Sequence, residues 1–420
     1  DATIIDENEV KFNFRRETQS ALNASKKDLY PIRHTKSGTA RIYPKGSAVL
    51  QMLRNLVGDE EFKRAINYYV EKHKFSNINT DDLQQAFKDK LGMNLDWFFE
   101  QWVWQGNEPH YDVDFSQYGT KGTFKIKQIH ETTMANGYFK MPIDFTIAYK
   151  DGSIDRKKVW VMGPMSSVSF DTKGKDIAYV LFDENCQVLK KVTFNKPERM
   201  LIRQAQEAQH AIDRYDAILA LKEKQDEEKV GWYTEWYKTE NAYQVRKAMV
   251  AQMSKNEKAK DFFKLAVKDK NARVREEAAK GIDAKWGKDL LVTLLSDKSY
   301  KVVEAAFDNL ANSEVTFDAN IIKGVDGINN AIATKYAAYQ YNKLGSEEFA
   351  KQLGEMAGPA YEFRTRINAF NALKSINYMT EDVAKNLMQA TTALNGRLAR
   401  PAKSTISYFK TQAAFRKYFK

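Results

Sequence analysis

The chain has 420 residues, 43% of them hydrophobic and 29% charged, which excludes a disordered chain and, at roughly 100–200 residues per domain, implies several packed domains. The net charge is +11, but the 66 basic and 55 acidic residues are interspersed and only 397–420 is one-sided; no nucleic-acid motif accompanies them, so nucleic acid is not an expected partner. No apolar run approaches the roughly 18 residues of a membrane span, and the single cysteine, Cys186, excludes an intrachain disulfide and reads as a small buried hydrophobe.

Residues 1–108 read as helices. The chain opens at Asp1 without Met, and its first residues are polar and acidic, unlike a signal peptide. It therefore reads as a mature or excised piece whose compartment and oligomeric state are not legible. Ala48, Val49, Met52, Leu53 and Leu56 mark one helical face, which Gly58 ends. Asp59 is the predicted cap of a second helix with the face Phe62, Ala65, Ile66, Tyr69 and Val70. Thr80 is the predicted cap of a third, with Leu83, Ala86, Phe87 and Leu91 inward and Gly92 as its stop. A fourth carries Leu95, Phe98, Phe99, Trp102 and Val103 and closes at Gly106 and Pro109.

Residues 109–197 switch to period two. Tyr111, Val113 and Phe115 alternate, as do Ile143, Phe145, Ile147 and Tyr149, with a tight turn at Asp151-Gly152. Short strands without a helical stretch predict a small β-sandwich. Residues 198–420 read as helices again, with a weak internal repeat. Asn241-Ala-Tyr-Gln-Val-Arg, Asn271-Ala-Arg-Val-Arg and Ser299-Tyr-Lys-Val-Val align, placing Val245, Val274 and Val302 274 − 245 = 29 and 302 − 274 = 28 residues apart. This predicts an α-solenoid of the HEAT-like kind, with the three valines buried at equivalent positions.

The residues alone reveal no complete active site. None of His34, His73, His110, His130 and His210 lies three to five residues from another, whereas a helical zinc site wants imidazoles at i and i+4. His130-Glu131-Thr132-Thr133-Met134 has Met where the second imidazole belongs and lies among strands. Glu207 and His210 share a helix face by spacing, as an ordinary surface pair. No phosphate-binding glycine loop or serine elbow is present.

One stretch points further. Ile42-Tyr43-Pro44-Lys45-Gly46 is followed by Gly58-Asp59-Glu60-Glu61-Phe62, then Thr80-Asp81-Asp82-Leu83, then Phe98 to Trp102, and Gly106-Asn107-Glu108-Pro109. This order resembles the aminopeptidase N family of gluzincin zinc metallopeptidases. The resemblance implies a multidomain α+β fold: the helical C-terminal part of a catalytic domain (1–108), a β-sandwich (109–197) and a HEAT-like helical repeat domain (198–420). It implies that Tyr43 is a catalytic residue whose hydroxyl donates to the oxyanion of the tetrahedral intermediate, while Lys45 and Gly46 are structural. The family's His-Glu-x-x-His, its third zinc ligand and its Gly-x-Met-Glu-Asn segment do not occur here. The expectation is therefore a C-terminal fragment of an enzyme that removes N-terminal residues from peptide substrates. Zinc is the cofactor of the parent enzyme, and neither zinc nor activity is expected of this chain alone. The alternative is a non-catalytic scaffold or protein-binding module.

Overall fold

A computed structural model of the chain describes residues 6–133, 136–223, 227–322 and 330–419. Contacts group the chain into two compact units, Asp1–Gln225 with Thr239–Ala248, and Asp226–Lys238 with Met249–Lys420. The architecture is mixed α+β.

The first unit begins with α1 (Glu7–Ala24), a π turn (Arg41–Lys45), α2 (Gly46–Val57), α3 (Asp59–His73), α4 (Thr80–Leu91) and the short α5 (Asp96–Phe99), which runs into a second π turn (Glu100–Trp104). The predicted faces are inward: Ala48, Val49, Met52 and Leu53 of α2 and Ala86 and Phe87 of α4 are buried. The caps differ from expectation. Gly58 precedes α3 and adopts φ 95°, a conformation that favours glycine, so Asp59 is the first helical residue rather than the cap. Asn79, not Thr80, caps α4: its side chain accepts from the N–H groups of Asp81 and Asp82, and the Asp82 carboxylate accepts from Asn79 N–H in return. Gly92 ends α4 in the left-handed region at φ 67°.

Seven strands follow among the described residues, β1 (His110–Tyr118), β2 (Lys121–Gln128), β3 (Met141–Tyr149), β4 (Ile154–Val161), β5 (Met165–Asp171), β6 (Ile177–Phe182) and β7 (Lys191–Thr193). They form a four-stranded sheet in the order β5-β2-β1-β7 and a three-stranded sheet in the order β4-β3-β6. Among the described residues only the β1–β7 pair is parallel. Rings from the two sheets meet directly, Phe124 with Phe145 at 5.2 Å and Tyr111 with Phe182 at 5.4 Å between centroids. The period-two residues Tyr111, Val113, Ile143, Phe145 and Ile147 are all buried. Strand β6 is buried along its whole length, which one sheet face cannot explain; its other side is covered by α6 (Glu198–Glu207). One apolar cluster runs from α1 and α2 through both sheets to Met200 of α6. The unit continues with α7 (Ala211–Ala220).

The second unit is helical: α8 (Glu227–Thr239), α10 (Lys260–Ala266), α11 (Ala272–Gly281), α12 (Ala284–Leu294), α13 (Tyr300–Ala311), α14 (Asn330–Leu344), α15 (Glu347–Met356), α16 (Phe363–Ser375), α17 (Glu381–Thr391) and α18 (Gly396–Lys410); α9 (Tyr243–Gln252) is divided between the two units. Helix α11 packs on α13, α14 on α16 and α16 on α18, the next-but-one helix each time. Val245, Val274 and Val302 are each the third residue of their helix, α9, α11 and α13, and each is 0% exposed.

A recurrent polar device accompanies the valines. Glu240, Asp269 and Asp297, spaced 269 − 240 = 29 and 297 − 269 = 28, each accept a hydrogen bond from the N–H two residues on, at 2.7–2.8 Å. The fourth residue of α7, α9 and α11 is Arg214, Arg246 and Arg275. Each donates through Nη1 to a main-chain carbonyl just before its own helix, Ala208, Glu240 and Asp269 respectively, at 2.8 Å. Arg214 also forks onto Glu240 (2.7 and 2.8 Å), and Arg275 onto Asp297 (2.6 and 2.8 Å).

Candidate active site

Tyr43 stands in the middle of the first π turn, just ahead of α2. In a helical turn residues four apart return to nearly one side, and the residue midway faces the other. The exposures follow this geometry. Arg41 and Lys45 are 0% exposed, whereas Tyr43 is 70% exposed. The Tyr43 hydroxyl makes no hydrogen bond to the described residues, which leaves it free to donate outward.

The two inward cations share one carboxylate. Arg41 Nη1 donates to Glu108 Oε1, and Lys45 Nζ lies 3.3 Å from the same oxygen. Lys45 Nζ also donates to the Asn107 carbonyl at 2.9 Å. Ser25 at the end of α1 donates to Glu108 Oε2 and accepts from Arg41 Nη1 at 3.1 Å. Burial pushes the Lys45 ammonium down to about 8; attraction to Glu108 partly offsets this, and repulsion from Arg41 adds to it. Asp28 stands close by. Burial would raise its carboxyl, but the N–H groups of Gly38 and Tyr30, and then Arg41 and Lys45, hold it below the usual range.

The segment that delivers Glu108 is constrained residue by residue. At Gly106 a Cβ would lie 1.8 Å from the Leu29 carbonyl oxygen, so only glycine lets the two backbones approach. Asn107 adopts φ 65°, which turns its carbonyl onto Lys45. Sequence reasoning passed over Arg41, Ser25 and Glu108. The available signal was a pair of cations placed symmetrically about Tyr43, two residues before and two after.

Beside Tyr43 lies a groove of about 880 Å³ between α1, α2 and α5. Its walls include Ile42, Val49, Leu50, Phe98, Phe99 and Val103. Ile42 and Leu50 remain 46% and 41% exposed, which is high for aliphatic residues on a packed helical element.

The other candidates do not converge. His34 stacks on Tyr30, His73 meets Tyr69, His110 Nε2 lies 2.9 Å from Thr193 Oγ1, and His130 Nε2 lies 3.2 Å from the Gly137 carbonyl. Glu207 and His210 are not on one helix: Glu207 ends α6 and His210 is the residue preceding α7. Met134 of the zinc-motif imitation lies outside the described residues. No three His, Cys, Asp or Glu side chains among the described residues group as metal ligands, so they do not fit a zinc ion. Cys186 is partly buried at φ 48°, and burial pushes its thiol up to about 12, which makes it a poor nucleophile.

Comparison with known proteins singles out the same stretch. Residues 32–102 match the Peptidase family M1 domain. Aminopeptidase N of Lactobacillus helveticus is 31% identical over 90 residues, covering 21% of this chain and 10% of that protein. Aminopeptidase N of Lactobacillus delbrueckii subsp. lactis is 37% identical over 74 residues, 18% of this chain and 8% of that protein. Tricorn protease-interacting factor F2 of Thermoplasma acidophilum is 29% identical over 150 residues, 33% of this chain and 18% of that protein. The chain thus spans only a small part of the length of these relatives. Among solved structures, aminopeptidase A of Legionella pneumophila aligns over 94% of this chain and 62% of its own, with a TM-score of 0.49 and 13% identity. Through the segment that holds Tyr43, its π turn and the groove wall, the chain is related to the M1 peptidases of the aminopeptidase N type.

Proposed function

We propose that this chain supplies the tyrosine-bearing, C-terminal part of a zinc-dependent aminopeptidase that removes N-terminal residues from peptides. The observation that carries the proposal is Tyr43: it lies inside the M1-matching segment, on a π turn, with a free hydroxyl at the edge of an apolar groove. Its role is to donate a hydrogen bond to the oxyanion that forms when a peptide carbonyl is attacked. Since the described residues do not fit the metal, the proposal assigns zinc to polypeptide outside these 420 residues. The rest of the plan comes with it: 1–108 as part of the catalytic domain, 109–197 as a β-sandwich and 198–420 as a HEAT-like repeat domain. The ring contacts between the sheets support the sandwich. The equivalent burial of Val245, Val274 and Val302 and the recurrent acid–arginine device support the repeats.

The test is hydrolysis of aminoacyl-p-nitroanilides by the full-length gene product, with its zinc content measured and Tyr43→Phe alongside. Zinc-dependent release that falls about a hundredfold in Tyr43→Phe is expected. A full-length product that binds no zinc and releases nothing leaves the scaffold interpretation standing instead.

A further inference from the structure

Tyr43 has no packing of its own to aim it, since it is 70% exposed and makes no hydrogen bond to the described residues. An oxyanion donor must nevertheless be held within a fraction of an ångström of its productive position before the reaction begins. What fixes it must be the turn it stands on, and that turn is pinned on both sides of the tyrosine. We propose that the buried cluster of Arg41, Lys45 and Glu108 is the device that aims Tyr43, which makes Glu108 a positioning residue for the proposed reaction.

The geometry makes the coupling direct. Glu108 lies 67 positions from Arg41 in sequence, beyond the second π turn and at the entry to β1. Its Oε1 receives both cations of the turn and its Oε2 receives Ser25, the residue that ends α1, so one carboxylate ties the turn to the end of α1 and to the start of the first sheet. Lys45 adds a second tie through the Asn107 carbonyl. If Arg41 and Lys45 stay on one side of a π turn, the residue midway has to face the opposite side, toward the groove. If either tie is released, the turn can relax toward an ordinary α turn of about 3.6 residues, which rotates Tyr43 relative to the groove. Simple stabilisation is a poor account of the cluster, because a buried ion pair costs desolvation that an apolar replacement would avoid.

The proposal rests on the catalytic reading of Tyr43, and two measurements separate the two. In this chain, amide hydrogen exchange of Glu108→Gln is compared with wild type. Exchange at residues 42–47 is expected to speed up at least about tenfold, while amides of α3 and α4 are unchanged. Lys45→Met, which leaves the Arg41–Glu108 pair intact, keeps the measurement possible if Glu108→Gln fails to fold. In the active full-length enzyme, Glu108→Gln is expected to lower kcat by about 10- to 100-fold with KM nearly unchanged, and to cost little further on a Tyr43→Phe background. Unchanged exchange at the turn, exchange accelerated uniformly through the unit, or an equal loss of kcat with and without the Tyr43 hydroxyl each overturns the proposal. If Tyr43→Phe itself leaves turnover unaltered, the catalytic reading falls, and the exchange comparison still decides whether the cluster holds the turn.

Discussion

Tyr43 and Gly106 show how much single residues decide at this site. Replacing Tyr43 by Phe keeps the ring and removes only the donor, so in an active enzyme the loss is expected in kcat, about a hundredfold, with KM nearly constant. Steady-state kinetics of the two forms checks it. Gly106 acts through backbone geometry instead. A methyl group there would meet the Leu29 carbonyl at 1.8 Å, and the loop that brings Glu108 to the turn would have to move. Gly106→Ala is therefore expected to lower stability by roughly 1–3 kcal/mol, the usual cost of overpacking, as a drop in the urea midpoint. Faster exchange at residues 42–47 should accompany it. Tyr43 and the Gly-x-x-Pro stop could be picked out from sequence because both sit in a recognisable order. The shared carboxylate could not, because Arg41 and Glu108 meet only after the chain has passed through four helices.

At the scale of elements, the predicted helices and strands formed where periodicity placed them, and the departures were at their ends. Asn79 took the cap from Thr80 because its side chain reaches two N–H groups at once, and the predicted fourth helix loosened into a π turn at Glu100. Helix α11 is tied to the residues just before α13 by side chains that hydrophobic patterning does not reveal. Arg275 forks onto Asp297, and both are largely buried, so Arg275→Ala leaves a buried carboxylate without its partner. A loss of roughly 1.5–3 kcal/mol in urea unfolding is expected. Asp213 of α7 accepts the Asn185 N–H just after β6, and burial pushes its carboxyl up to about 7; Asp216, Glu184 and Asp183 add to the rise. Its folded pKa lies above its unfolded value. The folded state therefore keeps a proton that the unfolded chain gives up, and the stability this lends at low pH is lost as pH rises through about 7. Urea midpoints measured from pH 4 to 8 should show this decline in the wild type, and Asp213→Asn should flatten it.

For the whole molecule, the groove beside Tyr43 and the scattered histidines lead to one expectation. The chain on its own should release no product from an aminoacyl reporter and hold no stoichiometric zinc. Metal analysis of the purified chain and a fluorogenic aminopeptidase assay decide this. About one zinc per chain together with activity would place the metal within these residues and remove the assignment of zinc to outside polypeptide. The family match is local, covering residues 32–102, which lie in the first unit.

The sequence by itself determined the element types, the inward faces of α2, α4, β1 and β3 and the relation to aminopeptidase N. All of these depend on periodicities and motifs within a few tens of residues. Only the tertiary structure decided that Arg41 and Lys45 turn inward onto Glu108, that β6 is covered on both faces, and that Arg214, Arg246 and Arg275 clamp the carbonyls before their own helices. Those features join groups distant along the chain or depend on a turn type, and a linear pattern of hydrophobic and polar residues records neither.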